Sequence, residues 1–205
     1  MGANLCQTLI TMTEKGELTG TTQLSQLFFY VIQGQVSATV DGETRKLSQG
    51  QFVYIPIEKS YRFEHPETST QLLSFHKVYE KLNGYDVPPV LFGDAATIEG
   101  PTYLGDPALR LQVLLPDTLS FDMAVNIFTY DPGGHLPFVE THIMEHGLIY
   151  LQGQGVYMLD QEWYPIKKGD SIWMAPYCQQ WFTAMGKEPA VYIYYKNVNR
   201  FPTVV

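Results

Sequence analysis

The chain has 205 residues, 45% hydrophobic and 17% charged, enough apolar side chain to build a real core. Its 21 acidic against 13 basic residues give a formal charge of −8, which argues against nucleic acid or an anionic membrane as partner, because both demand basic patches. No apolar run approaches the ~20 residues of a membrane helix, and the start MGANLCQTLI has neither a basic n-region nor a long apolar h-region, so the sequence reads as cytoplasmic.

Taken in chain order, the predicted elements are short strands. Cys6 lies near the start and pairs by no spacing rule with Cys178, so both read as free thiols. LFFYVIQG, QVSATVDG, QFVYIPI and STQLLSFHKVY follow, rich in β-branched and aromatic residues and broken by Gly, Pro and Asp. The stretch 81–107, KLNGYDVPPVLFGDAATIEGPTYLGDP, reads as a connection. GVYMLD, DSIWMAP and AVYIYYK then resume the strand pattern, and helical periodicity is absent beyond a turn or two.

Two of these stretches match each other. YVIQGQVSATVDGETRKLSQGQFVYIP (30–56) parallels IYLQGQGVYMLDQEWYPIKKGDSIWMAP (149–176). Gly34 and Gly153 stand 119 residues apart, as do Gly50 and Gly169. An internal repeat of an all-β unit this size predicts two similar barrels, with modules over 1–90 and 91–205. The pattern resembles the cupin superfamily, whose motifs comprise a strand ending at a glycine and a Gly-Asp pair leading through Pro to a last ligand, here Gly153, Gly169-Asp170 and Pro176. The resemblance implies two jelly-roll-like cupin modules in tandem, a bicupin.

Residues 140–146 read ETHIMEH. As a strand, they would turn Glu140, His142 and His146 to one face. The cupin pattern implies a further ligand eleven residues after its glycine, which lands on Gln180; Pro176 sits one residue late, so Gln179 competes. Two imidazoles and two oxygen donors suit a six-coordinate divalent ion such as Mn, Fe or Ni, which would polarise and orient a small ligand. The same letters contain H-x-x-E-H, a zinc-peptidase motif that needs a helix, but Gly147 and the strand pattern after it disfavour that reading. A purely structural role for the histidines is the other alternative. His65, His76 and His135 read as loop or surface residues. Subtracting 119 gives Thr21, Gln23, Leu27 and Tyr61 in the first module, a set from which no metal site is expected. Cys178 shares parity with Gln180 and reads as small-residue packing.

FDMAVNIFTYDPGG, VETHIMEHGLIYLQGQGVYMLD, YPIKKGD and YIYYKNVNR resemble the C-terminal module of the (S)-ureidoglycine aminohydrolases, bicupins of purine (allantoin) catabolism. The resemblance implies Mn(II) on Glu140, His142, His146 and Gln180, with Tyr157, Tyr192 and Lys196 contacting substrate. It implies hydrolysis of (S)-ureidoglycine to ureidoglycolate and ammonia. Glu140, beside the metal, is the candidate for moving a proton to the leaving amine. In YIYYK (192–196), residues 192, 194 and 196 share a face, and a Lys facing into a barrel calls for an anion. A small ureido substrate and a homo-oligomer are the partners implied, and family members carry a longer segment ahead of the first barrel. A metal-dependent dioxygenase or isomerase and a non-catalytic small-ligand binder are the competing functions.

Overall fold

The computed structural model describes residues 5–64 and 69–200. It is built of antiparallel strands and one short 3-10 turn, and the chain divides into two compact units. In the N-terminal unit the strands are β1 (Leu5–Met12), β2 (Glu17–Thr21), β3 (Ser25–Gln33), β4 (Gln35–Val40), β5 (Glu43–Ser48), β6 (Gln51–Ile55), β7 (Ser60–Glu64), β8 (Thr70–Val78) and β9 (Leu91–Asp94). They form two sheets, in the orders β1-β8-β3-β6-β9 and β2-β7-β4-β5. That interleaved order is the jelly roll of a cupin. Alternation explains the layering: Val36, Ala38 and Val40 of β4 point inward, and meet Phe29, Val31, Val53 and Leu72 from the other sheet.

The C-terminal unit repeats the design with β10 (Thr102–Tyr103), β11 (Asp106–Val113), β12 (Met123–Tyr130), β13 (His146–Gln152), β14 (Gln154–Leu159), β15 (Glu162–Lys167), β16 (Ser171–Met174), β17 (Gln180–Met185) and β18 (Ala190–Asn197). One sheet runs β10-β11-β12-β18-β13-β16 and the other β15-β14-β17. Its core is aromatic: Phe128, Tyr130, Tyr150, Tyr157, Phe182 and Tyr192 are all buried together. The two-module cupin fold expected from the internal repeat is therefore present.

The stretch 81–107 is more than a connection. Its β9 pairs with β6 in the N-terminal unit, and its β10 with β11 in the C-terminal one. By contacts, the N-terminal unit extends through Thr97, and it also takes in Thr118–Asp122, a segment lying between β11 and β12. Asp122 explains that placement. It is fully buried, and its carboxylate receives the Lys77 ammonium at 2.6 Å, the Glu80 backbone N–H at 2.8 Å and the Gln26 amide. Tyr54 in turn donates to Gln26 at 2.8 Å and packs its ring 5.2 Å from Phe121.

The shared strands of the two modules keep the same pairing, with one slip. Leu27 pairs with Ile55 as His146 pairs with Met174, both displaced by 119. Beyond that, Thr21 faces Ser60 whereas Glu140 faces Gln180, so the later strands are displaced by 120. Ala175 is the extra residue, inserted before Pro176. The N-terminal counterpart of Gln180 is accordingly Ser60 rather than Tyr61, and that of Lys196 is His76.

Candidate metal centre

The segment 140–146 is neither the strand nor the helix that its letters allow. Glu140 forms a single two-way bridge to Gln180, donating its N–H at 2.8 Å and accepting one at 2.9 Å. Residues 141–145 then run as irregular chain, and regular strand resumes at His146. In the N-terminal unit β2 (Glu17–Thr21), paired with β7, matches 136–140, and the residues that match 141–143 are likewise a turn, 22–24. The loop 141–145 is held locally: His142 Nδ1 donates to the Met144 carbonyl at 3.0 Å, and the His142 carbonyl accepts from the Tyr177 N–H at 2.7 Å.

This loop closes over a cavity of about 570 Å³ inside the C-terminal unit. All seven expected residues, Glu140, His142, His146, Gln180, Tyr157, Tyr192 and Lys196, line it, whereas Gln179, the competing ligand, is exposed and does not. Gln180 is 2% exposed and sits at the centre of the arrangement. Its carbonyl oxygen accepts from His146 Nε2 and from the Tyr157 hydroxyl, both at 2.9 Å. Its amide nitrogen donates to His142 Nε2 at 3.1 Å. The two imidazole rings lie 4.8 Å apart between centroids.

Tautomers follow from these partners. A carbonyl only accepts, so His142 carries its proton on Nδ1 and offers the lone pair of Nε2 to the cavity. His146 is driven down to about 3 by burial first and then by His142, and its Nδ1 is buried without a partner. Burial and then Lys196 lower His142 as well. Both rings are therefore neutral, the form that ligates a metal.

Glu140 is raised by burial, against the Tyr103 hydroxyl that donates to it at 3.2 Å and the Lys196 charge. As placed, the carboxylate turns to Tyr103. Among the described residues no three His, Cys, Asp or Glu side chains stand close enough to grip an ion in that rotamer. The donor chemistry nevertheless fits a divalent metal: two neutral imidazoles and an amide oxygen meet within hydrogen-bonding distance, beside a partly buried carboxylate anchored through its own backbone.

Lys196 faces the cavity from β18, next to His146 across the strand pair. Burial lowers it, while Glu140 and Asp117 pull it back up. Tyr192 is buried and shares a 3.0 Å hydroxyl contact with Tyr130. Cys178 packs against the aromatic core and does not line the cavity, and burial raises its thiol. His135 and His76 are exposed away from the cavity, and His65 lies outside the described residues. Sequence reading missed Tyr103 and Asp117. Tyr103 stands in the Gly/Pro-rich stretch taken for a connection, and no spacing rule would have flagged either.

Comparison with known proteins agrees with this architecture. The family described as Cupin domain matches residues 14–75 and 126–195. The (S)-ureidoglycine aminohydrolase of Escherichia coli (strain K12) is 37% identical over 177 residues, covering 85% of this chain and 67% of the relative. That of Arabidopsis thaliana is 34% identical over 176 residues, covering 84% and 57%. The crystal structure of the protein Ylba from E. coli matches with a TM-score of 0.87 and 32% identity, over 98% of this chain and 80% of that one. The chain spans little more than half the length of its plant relatives, 56% and 57%. It belongs to the (S)-ureidoglycine aminohydrolase family of two-module cupins.

Proposed function

We propose that the C-terminal module hydrolyses (S)-ureidoglycine to ureidoglycolate and ammonia, a step of purine (allantoin) catabolism, with Mn(II) held by Glu140, His142, His146 and Gln180. The observation that carries this reading is the meeting of His142, His146 and Gln180 at 2.9–3.1 Å in a cavity that also presents Lys196. When bound, the ion would supply a Lewis acid that fixes the substrate's oxygen or amine donors.

The chain's own residues do the rest. The Lys196 ammonium, depressed by burial, gains from an anion and so holds the substrate carboxylate. The reacting carbon bears both an amine and a ureido nitrogen, so loss of ammonia needs a delivered proton and a fixed geometry. Glu140, beside the ion, would pass that proton to the leaving amine. Water then replaces the amine on carbon, balancing the reaction. The Tyr157 hydroxyl already donates to Gln180, and that of Tyr192 contacts Tyr130. Tyr157 therefore orients Gln180, and its hydroxyl oxygen can still accept a hydrogen bond from substrate.

Ammonia release from fresh (S)-ureidoglycine tests the reading, with metal-stripped protein, the same protein given Mn(II), and His142→Ala run together. Mn-dependent release that is lost in His142→Ala supports it. Release no faster than the spontaneous rate, with metal bound, sinks it. Self-association into a homo-oligomer remains part of the proposal, and sedimentation of the purified chain would decide it.

A further inference from the structure

The proposed chemistry leaves one cavity residue unused. Asn126 sits in β12, paired with Val113 on one side and Tyr194 on the other. Its amide nitrogen donates to the Tyr194 hydroxyl at 2.9 Å. Its carbonyl oxygen is buried and accepts nothing, although the residue is only 5% exposed and lines the cavity. A buried acceptor left without a donor costs about 1–3 kcal/mol, so such an atom needs a reason.

Register fixes where that oxygen lies relative to the rest of the site. His146, Lys196 and Ala124 form one row across β13, β18 and β12. Asn126 is the next inward-facing residue along β12, with Tyr194 beside it on β18. Two strand spacings across the sheet and two residues along it separate its backbone from that of His146, about 12 Å. The methyl group of Ala124, opposite Lys196, leaves the space between Lys196 and Asn126 open. A small molecule whose carboxylate rests on Lys196 therefore finds Asn126 at its other end. There the Asn126 carbonyl is the acceptor left without a donor, beside the Tyr194 hydroxyl, which accepts from the Asn126 amide and keeps its own O–H.

We propose that the carbonyl oxygen of Asn126 accepts a hydrogen bond from the terminal N–H₂ of the bound molecule, making the cavity selective for small carboxylates that carry a carbamoyl group at the far end. Asn126 is thus a specificity residue, and Tyr194 is the group that holds its amide in place. The inference rests on reading this cavity as a ureido-substrate site, but it is measured separately from turnover.

Isothermal titration of the Mn(II)-loaded protein with N-carbamoylglycine and N-acetylglycine isolates the contact, because the two probes differ only by NH₂ against CH₃ at that end. The wild type is expected to bind N-carbamoylglycine at least ten-fold more tightly. Asn126→Leu, which removes the acceptor at similar size, should erase the preference while leaving N-acetylglycine affinity within about three-fold. Asn126→Asp, which keeps an acceptor oxygen, should retain it. A preference that survives in Asn126→Leu overturns the inference, as does equal binding of the two probes by the wild type. Should Asn126→Leu fail to fold, the Asp variant decides, and loss of its preference counts against the proposal. Ammonia release with no probe preference leaves the hydrolase and removes the role of Asn126. Probe preference without ammonia release does the reverse.

Discussion

Lys196 shows how far a single residue carries its own meaning. Strand parity placed it on the same face as Tyr192 and Tyr194, but a lysine at a strand end is as well satisfied by water. The structure lines the cavity with it and surrounds it with Glu140 and Asp117, neither of which lies near it in sequence. Gln180 was legible because a glycine-based count reached it, whereas Asn126 sits unremarked in the strand-like run MAVNIFTY. Its significance is a buried oxygen without a partner, which appears only once the chain is folded. Charged groups away from the cavity behave more simply. Asp131 receives Arg110 through both guanidinium nitrogens, at 2.5 and 3.1 Å, and that bond holds its carboxyl below the usual range. A depressed acid favours the folded state above its unfolded pKa of about 4, and the advantage disappears as pH falls through the folded value. Both side chains are more than a third exposed, 37% and 39%, so screening keeps the contribution under about 1 kcal/mol. Asp131→Asn should therefore lower stability by less than that at pH 7, and the gap should shrink as pH falls below the unfolded value. Urea titrations at pH 7 and below that value check it.

Among the elements, the hairpin glycines were the clearest signal. Gly34 and Gly153 both hold positive φ, +82° and +75°, at the tight turns joining β3 to β4 and β13 to β14. A Cβ at Gly153 would stand 2.5 Å from the Pro189 carbonyl oxygen, in addition to the left-handed backbone. Gly153→Ala should cost about 1–3 kcal/mol in thermal or urea unfolding, and a variant that unfolds like the wild type would show that the turn relaxes freely. The loop 140–146 was the element least legible. A parity argument holds only where a ladder imposes period two, and here the ladder is one bridge long. The convergence of Glu140, His142 and His146 on one cavity comes from a curled loop, not from alternate positions on a strand. The missed strands β1, β2 and β7 carry Thr, Arg and Glu on their outer faces, which hides their apolar alternation.

For the whole molecule, the repeat announced two modules, while the path of the chain between them was invisible in sequence. Thr118–Asp122 looks like part of the second module by position and belongs to the first by contact. Its anchor is ionic. Lys77 and Asp122 are 2% and 0% exposed and bonded at 2.6 Å. Removing one partner of such a pair strands a buried charge, so Asp122→Ala should destabilise by about 3–5 kcal/mol. The double change Lys77→Met with Asp122→Leu should recover most of it, as read by unfolding midpoints. If the single variant is as stable as the double one, the pair does not anchor the segment.

The consequence reaches into how such a chain descends. Two tandem copies joined end to end could be separated, exchanged or lost as cassettes. Here a buried carboxylate of the first module is written downstream, within the text of the second, so no single cut returns two whole modules. A crossover anywhere between Thr97 and Thr118 parts Lys77 from Asp122. A module cut out on its own at such a point would keep the Lys77 ammonium buried and lose the carboxylate it rests on.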